Sequence, residues 1–289
     1  MRSGVAAAAA PALAMALVLA LAGCVTVPAA QRLVEGGNGS APTVLERPCG
    51  SREEAPPAHA QARALPDPLR LASWNLHKDV DPGWQVELAR IAAASDVVLL
   101  QEASLGDELA RTLEDAGMRW QLAGGFLLEG HDAGVLTATR AQALDACTVR
   151  AWEPLLQVPK AALITRFRVE GHAGTLAIAN LHGINFTLSA AGAYREQLEA
   201  VRAELATHAG PIVLAGDFNT WSDERLAAVE AVARELGLVA VAFHPDARAR
   251  FFDHPVDHVF VRGIDVIDAK VVSVASSDHN PLFATLHVR

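Results

Sequence analysis

From residue 69 onward the chain alternates short apolar runs with amphipathic stretches, yet several of the apolar runs follow one another with no helix between them. That combination excludes a purely parallel sheet, because a parallel pair needs a long crossover whereas antiparallel neighbours need only a tight turn. Strands are expected at residues 69–76, 96–101, 133–139, 161–169, 175–180, 212–215, 256–261, 266–274 and 282–288, with a hairpin turn at 171–174. Helices are expected at 84–94, at 105–116, beyond a cap at Ser189, and at 224–236. Leu105, Leu109 and Leu113 share one helical face, as do Tyr194, Leu198, Val201 and Leu205. About ten strands with helices at some crossings imply two packed mixed β-sheets flanked by helices, an α/β four-layer sandwich. No repeat and no second Pro/Gly-rich boundary interrupts residues 69–289, so they are expected to form one domain.

Apolar residues make up 51% of the chain but aromatics only 5%, so the core must be built from Ala, Val and Leu, as in strands buried on both faces. The net charge of −9 excludes the long-range positive field that gathers polyanions nonspecifically. It does not exclude phosphodiester cleavage, because a bound cation and a few local Lys and Arg side chains reverse the sign within a cleft.

No charged residue lies between Arg2 and Arg32, and residues 5–22 are an Ala/Leu/Val run of export-signal or membrane-spanning length. Leu21-Ala22-Gly23-Cys24 resembles a bacterial lipobox, which implies a signal peptide over residues 1–23 and an exported cell-envelope protein lipid-anchored to the membrane at Cys24. A retained anchor and an ordinary cleaved signal are the alternatives. Export places Cys49 and Cys147 where disulfides persist, and sequence leaves open whether they pair or stay as thiols. Residues 24–68 carry six prolines between 42 and 68 and read as a linker or loosely packed arm.

Asn75, Glu102, His182, Asp217, Asn219 and Asp278 all fall just past apolar strands. Singly, each is explained as a cap or a turn residue. Together they sit where open α/β sheets collect ligands, and gathering their carboxylates calls for a compensating cation. Oxygen donors of this kind suit Mg²⁺ or Mn²⁺.

The segments Trp74-Asn75, Leu100-Gln101-Glu102, Asn180-Leu181-His182-Gly183, Gly216-Asp217-Phe218-Asn219, Val256-Asp257-His258-Val259-Phe260 and Ser277-Asp278-His279-Asn280-Pro281 occur in an order that resembles the endonuclease/exonuclease/phosphatase family. Within it the chain is most similar to bacterial YafD-type proteins, through Lys160 and the stretch that follows it, residues 180–186 and residues 217–222. The resemblance implies the deoxyribonuclease I-like sandwich and a metal-dependent phosphodiesterase. It implies Glu102 as principal metal ligand, Asn75 beside it and Asp278 completing or supporting the site. Asn219 would hold a phosphate oxygen, and Asp217 would bind metal or orient the attacking water. His279 would be the general base with its tautomer fixed by Asp257, and His182 would donate to phosphoryl or leaving oxygen.

Lys160 reads either as a phosphate ligand or as a solvated strand-edge lysine. His77 and Lys78 stand where other branches carry a carboxylate that helps the metal. Residues 248–254, Arg-Ala-Arg-Phe-Phe-Asp-His, read either as a loop that stacks on a base or as two Phe in a small core beneath solvated arginines. Trp120, Trp152 and Trp221 are expected to pack. Nucleic acid, DNA or RNA, is the first expected substrate and phospholipid the next. The absence of a long Trp/Phe/Leu-rich insertion favours the former. No protein partner is evident. The rival class is a noncatalytic envelope lipoprotein that binds a phosphorylated ligand.

Overall fold

The computed structural model describes residues 25–37, 39–51, 63–186 and 192–289. The expected signal segment, Cys24 and the expected cap Ser189 lie outside the described residues. Among those described, no helix is long and apolar enough to cross a membrane.

One sheet is built from β1 (Val25–Thr26), β2 (Arg32–Gly37), β3 (Ser40–Leu45), β4 (Leu69–Asn75), β5 (Val97–Ser104), β6 (Arg119–Leu128), β7 (His131–Thr139), β16 (Ile264–Val271) and β17 (Leu282–Val288). Its order is β16-β17-β4-β5-β7-β6-β2-β3, with β1 added beside β6. The second contains β8 (Asp145–Trp152), β9 (Pro159–Arg168), β10 (Thr175–His182), β11 (Ile212–Asp217), β12 (Val239–Ala240) and β15 (Asp257–Arg262), in the order β12-β15-β11-β10-β9-β8. A separate ribbon pairs β13 (Arg250–Phe251) with β14 (His254–Pro255). Among the strands of the described residues, β4–β5 and β10–β11 are the pairs that run parallel, each joined through a helix, so the sheets are mixed as the sequence pattern implied.

Side-chain alternation sorts the layers. Leu69, Leu71, Val97 and Leu99 face Phe167, Ile178, Val213, Val259 and Val261 in the core between the sheets. On the outer face of the first sheet, Trp74, Val98 and Leu100 meet Leu88 and Ile91 of α1 (Trp84–Ala94) and Leu109 and Leu113 of α2 (Asp107–Asp115). On the outer face of the second, Ala177, Ala179 and Leu181 meet Tyr194, Leu198 and Val201 of α3 (Gly192–Ala206) and Val229 of α4 (Asp223–Glu235). Both sheets are thus covered on both faces, which is why small aliphatic residues suffice for the core.

A polar side chain crosses the inter-sheet core. Asn180 on β10 is fully buried, donates to the Leu100 and Leu136 carbonyls of the first sheet at 3.0 and 2.9 Å, and accepts from Gln101 at 2.7 Å. It ties the strand ends of the two sheets together directly beneath the cleft.

The expected linker is not one over residues 32–45, which form the β2–β3 hairpin at the edge of the first sheet. The breakers are absorbed: Gly37 takes φ 110° at a register shift, and Pro42 sits on the edge strand, where a missing N–H costs no ladder bond. Cys49 and Cys147 form a disulfide. The segment before it covers the open edge of β8, with Cys49 N donating to Thr148 O at 2.9 Å and Thr148 N to Arg47 O at 2.8 Å.

Candidate active site

Strand register assembles the site. β10 and β11 pair His182 with Asp217, and β11 and β15 pair Asp217 with Asp257, so the three side chains stand in one row across neighbouring strands. On the first sheet, Asn75 ends β4 opposite Gln101. Between Leu100 and Ala103 the pairing of β5 with β7 shifts, so that Gln101 and Glu102 together oppose one residue. This bulge, with Glu102 at φ 52°, sends Gln101 into the inter-sheet core and Glu102 into the cleft. Gly216 sits at φ 135°, and a Cβ there would collide with the Leu181 carbonyl, so only glycine lets β11 run this close to β10 before Asp217.

Asn75 Nδ2 donates to Asp217 Oδ2 at 3.0 Å, which joins the two sheets at the site. Asp217 Oδ1 accepts from Asn219 N at 2.9 Å, and Asn219 Nδ2 donates to Gly183 O at 3.0 Å. The second amide hydrogen of Asn219 faces Asp217 Oδ2 across 3.5 Å. His279 Nδ1 lies 2.8 Å from Asp257 Oδ2, and its Nε2 lies 4.0 Å from Asp217 Oδ2. Trp74 Nε1 donates to His279 O, His279 N to Ser277 Oγ, and Ser277 Oγ to Asn75 O, which fixes the loop after β16 against the end of β4.

Electrostatics divides the two histidines. Burial lowers the proton affinity of His182 to a pKa of about 4, and Lys160 adds to the effect, against the pull of Asp217 and Glu102. An ammonium only donates, so Lys160 Nζ donates to His182 Nε2 at 3.0 Å. The His182 ring accepts at Nε2 and orients Lys160, whose ammonium is the donor in this contact. Burial acts against the charged form of His279 too, but Asp257 and then Asp217 outweigh it and raise the pKa to about 10. Burial raises Asp217, with His279 and His182 opposing. The His279 ring lies between the buried carboxyl groups of Asp257 and Asp217.

Glu102 faces the other side of the cleft. Burial alone would raise its pKa, but His182, Lys160 and Lys78 hold it at about 2. Lys78 Nζ is 2.6 Å from Oε2, and Lys160 Nζ is 3.6 Å from Oε1. The cleft also contains Phe126, Leu128 and Pro159. Asp278 stands apart from this group, with a half-exposed carboxylate 3.8 Å from His77 Nδ1. Of the three expected metal ligands, Glu102 lines the cleft and Asn75 meets Asp217, whereas Asp278 is not brought into the group. Glu102, Asn75 and Asp217 each carry oxygen donors of the hard character that Mg²⁺ and Mn²⁺ take. Asp217, Asp257 and His279 also offer ligand atoms within 4.8 Å of one another.

Arg225 and the Lys78–Glu102 pair were not expected from the sequence. Arg225, at the start of α4, is buried between the rings of Tyr194 and Trp221, 4.4 Å from each centroid. It donates to the carbonyls of Ile184, Asn185 and Asn219 at 2.6, 2.8 and 3.1 Å, and so holds the loops after β10 and β11 together. Its only sequence signal is an arginine three residues after the cap Ser222. Arg225→Lys keeps the charge but loses the planar fork, and is expected to cost about 3 kcal/mol in urea unfolding. An unchanged midpoint would show that these bonds do not hold the loops.

The family model described as endonuclease/exonuclease/phosphatase matches residues 72–279. A UPF0294 protein of Vibrio parahaemolyticus is 40% identical over 227 residues, covering 78% of this chain and 80% of that protein. An endonuclease/exonuclease/phosphatase structure from Beutenbergia cavernae superposes with a TM-score of 0.59 at 24% identity, over 76% of this chain and 71% of that one. The 3′ phosphatase NExo from Neisseria, bound to a product DNA hairpin, superposes with a TM-score of 0.51 at 19% identity, over 75% and 98%. With its sandwich, its six motifs and its paired strand-end residues, the chain belongs to the endonuclease/exonuclease/phosphatase family of phosphoester hydrolases, in the UPF0294, YafD-type branch.

Proposed function

We propose that the chain is an exported, divalent-metal-dependent phosphodiesterase with nucleic acid as its substrate. The observation that carries the catalytic part is the buried Asp257–His279–Asp217 row, joined to Glu102 and Lys160 through His182, whose Nε2 lies 3.5 Å from Asp217 Oδ2, 3.6 Å from Glu102 Oε1 and 3.0 Å from Lys160 Nζ. Asp257 fixes Nδ1 of His279, leaving Nε2 toward Asp217, so these residues accept and hold the proton of the attacking water. Lys160, held by His182 Nε2 at 3.0 Å, and Asn219 beside Asp217 bind phosphoryl oxygens. A divalent ion held by Glu102, Asn75 and Asp217 would supply charge that neutralises the phosphoryl group and lowers the proton affinity of nearby water and of His279.

The ribbon beside the site supports nucleic acid. Phe251 and Phe252 are not in a small core but exposed, and Phe252 is 83% accessible. The Phe251 ring lies 6.4 Å from His279, the Phe252 ring 6.4 Å from Trp221, and Arg250 flanks them. Such a rim stacks on splayed bases whatever their identity. Phe252→Ala is expected to raise KM for single-stranded DNA about tenfold while leaving bis-p-nitrophenyl phosphate turnover within about twofold. Equal KM values would remove the stacking role.

A second reading has its own observation. Trp152, Leu155, Leu156 and Phe186 are exposed, so Trp152 does not pack as expected. Glu153 Oε1 accepts from the backbone N–H groups of Asn185 and Phe186, which brings this apolar group together beside Lys160. That is the exposed surface expected of a phospholipid hydrolase. A panel of plasmid DNA, single-stranded DNA, RNA and sphingomyelin vesicles separates the two, with bis-p-nitrophenyl phosphate, Mg²⁺, Mn²⁺ and EDTA arms for the chemistry. No metal-dependent turnover of any of them would leave the noncatalytic binding role in its place.

Export through residues 1–23 and lipidation at Cys24 belong to the same proposal. The Cys49–Cys147 bridge supports it, since disulfides persist outside the reducing cytosol. A Cys24→Ser chain that still partitions with membranes would count against the anchor.

A further inference from the structure

We propose that Lys78 is an exchangeable internal cation, paired with Glu102 until a divalent ion takes that carboxylate and then transferred to the substrate's phosphate. Metal and phosphate then load together. The inference rests on the metal-dependent reading of the site above.

Two lysines approach Glu102, and they differ in freedom. Lys160 has a side chain only 17% exposed and is held by His182 Nε2 at 3.0 Å. Lys78 has a side chain 49% exposed and Glu102 as its ion-pair partner at 2.6 Å. Of the two, Lys78 is the one able to leave.

The backbone aims it there. His77, Lys78 and Asp79 take φ values of 50°, 58° and 60°, a left-handed run of three residues with side chains. Residues with a Cβ seldom adopt this conformation, and strain of this kind persists where the surroundings impose it. His77 N donates to Asn75 Oδ1 at 2.9 Å, so the run is anchored to a residue of the site.

A divalent ion and an ammonium compete for the same carboxylate oxygens, and a second ammonium already stands beside them, so the net charge around Glu102 becomes repulsive when the ion arrives. The freed lysine is a flexible, strongly hydrated point charge at the mouth of the same cleft. A phosphate gives it a new anion. By linkage, each ligand then tightens the other by the same factor.

The test is Mg²⁺ titration calorimetry on the purified full chain, with and without inorganic phosphate, for the wild type and Lys78→Met. Lys78→Met is expected to bind Mg²⁺ at least about tenfold tighter than the wild type when phosphate is absent. Phosphate is expected to tighten Mg²⁺ about fivefold or more in the wild type and less than about twofold in the variant. Wild-type Mg²⁺ affinity in Lys78→Met, or equal tightening by phosphate in both proteins, overturns the exchange and leaves the metal site standing. Failure of both proteins to bind Mg²⁺ under either condition overturns the metal-dependent reading and the exchange with it.

Discussion

His279→Ala is expected to lower kcat/KM for phosphodiester hydrolysis by about a thousandfold, and Asp257→Asn by about a hundredfold. The two act as a unit, since Asp257 Oδ2 lies 2.8 Å from Nδ1 and selects the tautomer that presents Nε2 to Asp217. The double variant should therefore be no worse than His279→Ala alone, and additive losses would break the coupling. The same pair predicts a pH dependence of stability. The folded-state pKa of His279 is raised to about 10, chiefly by Asp257 against burial, so between its ordinary value and about 10 the folded chain keeps a proton that the unfolded chain has released. Its contribution is complete below the ordinary value and disappears as pH rises through about 10. Urea unfolding of wild type and His279→Gln across this window checks the sign. A difference between the two that grows with pH would contradict it.

The four-layer sandwich was legible because its strands are short aliphatic runs and its helices carry apolar faces at regular spacing. Helix 84–94 has the bounds expected, and the 171–174 hairpin joins β9 to β10 as expected. What escaped was made of residues whose local preference opposes their final state. Gly124 and Gly125 interrupt β6, Thr148 and Arg150 give β8 a polar alternation, and Gly36, Gly37 and Pro42 disguise the β2–β3 hairpin. These strands are fixed by their neighbours rather than by propensity.

The site was legible for the same reason in reverse. A polar residue directly after an apolar strand stands out, and register then aligns His182, Asp217 and Asp257 without further information. Direction and charge were not legible. The bulge that turns Glu102 into the cleft leaves no mark in Leu100-Gln101-Glu102, and the Lys78–Glu102 pair joins residues 24 apart through a backbone conformation lysine seldom adopts. The neutrality of His182 follows from burial beside Lys160, which only the packed sheets supply.

Cys147→Ser, or reduction of the folded chain, is expected to lower the free energy of unfolding by about 5 kcal/mol, because the bridge closes a long loop whose freedom in the unfolded chain it removes. The sequence separation is 98 residues, and the enclosed segment contains β4, β5, β6 and β7. Asn75 and Glu102 therefore lie inside the loop, whereas Lys160, His182, Asp217, Asp257 and His279 lie beyond it. The bridge does not touch the Asp257–His279–Asp217 row, so activity at low temperature should survive while the urea midpoint falls. The backbone bonds between Arg47 or Cys49 and Thr148, and those from Arg150 to the carbonyls of Pro28, Ala29 and Ala30, would still hold the arm on the edge of β8. They make its release a partial effect, and this separates the two contributions: loop entropy appears in Cys147→Ser, and edge cover appears as a further loss when Arg150→Ala is added. A midpoint insensitive to reductant would mean that the unfolded chain is already confined without the bridge.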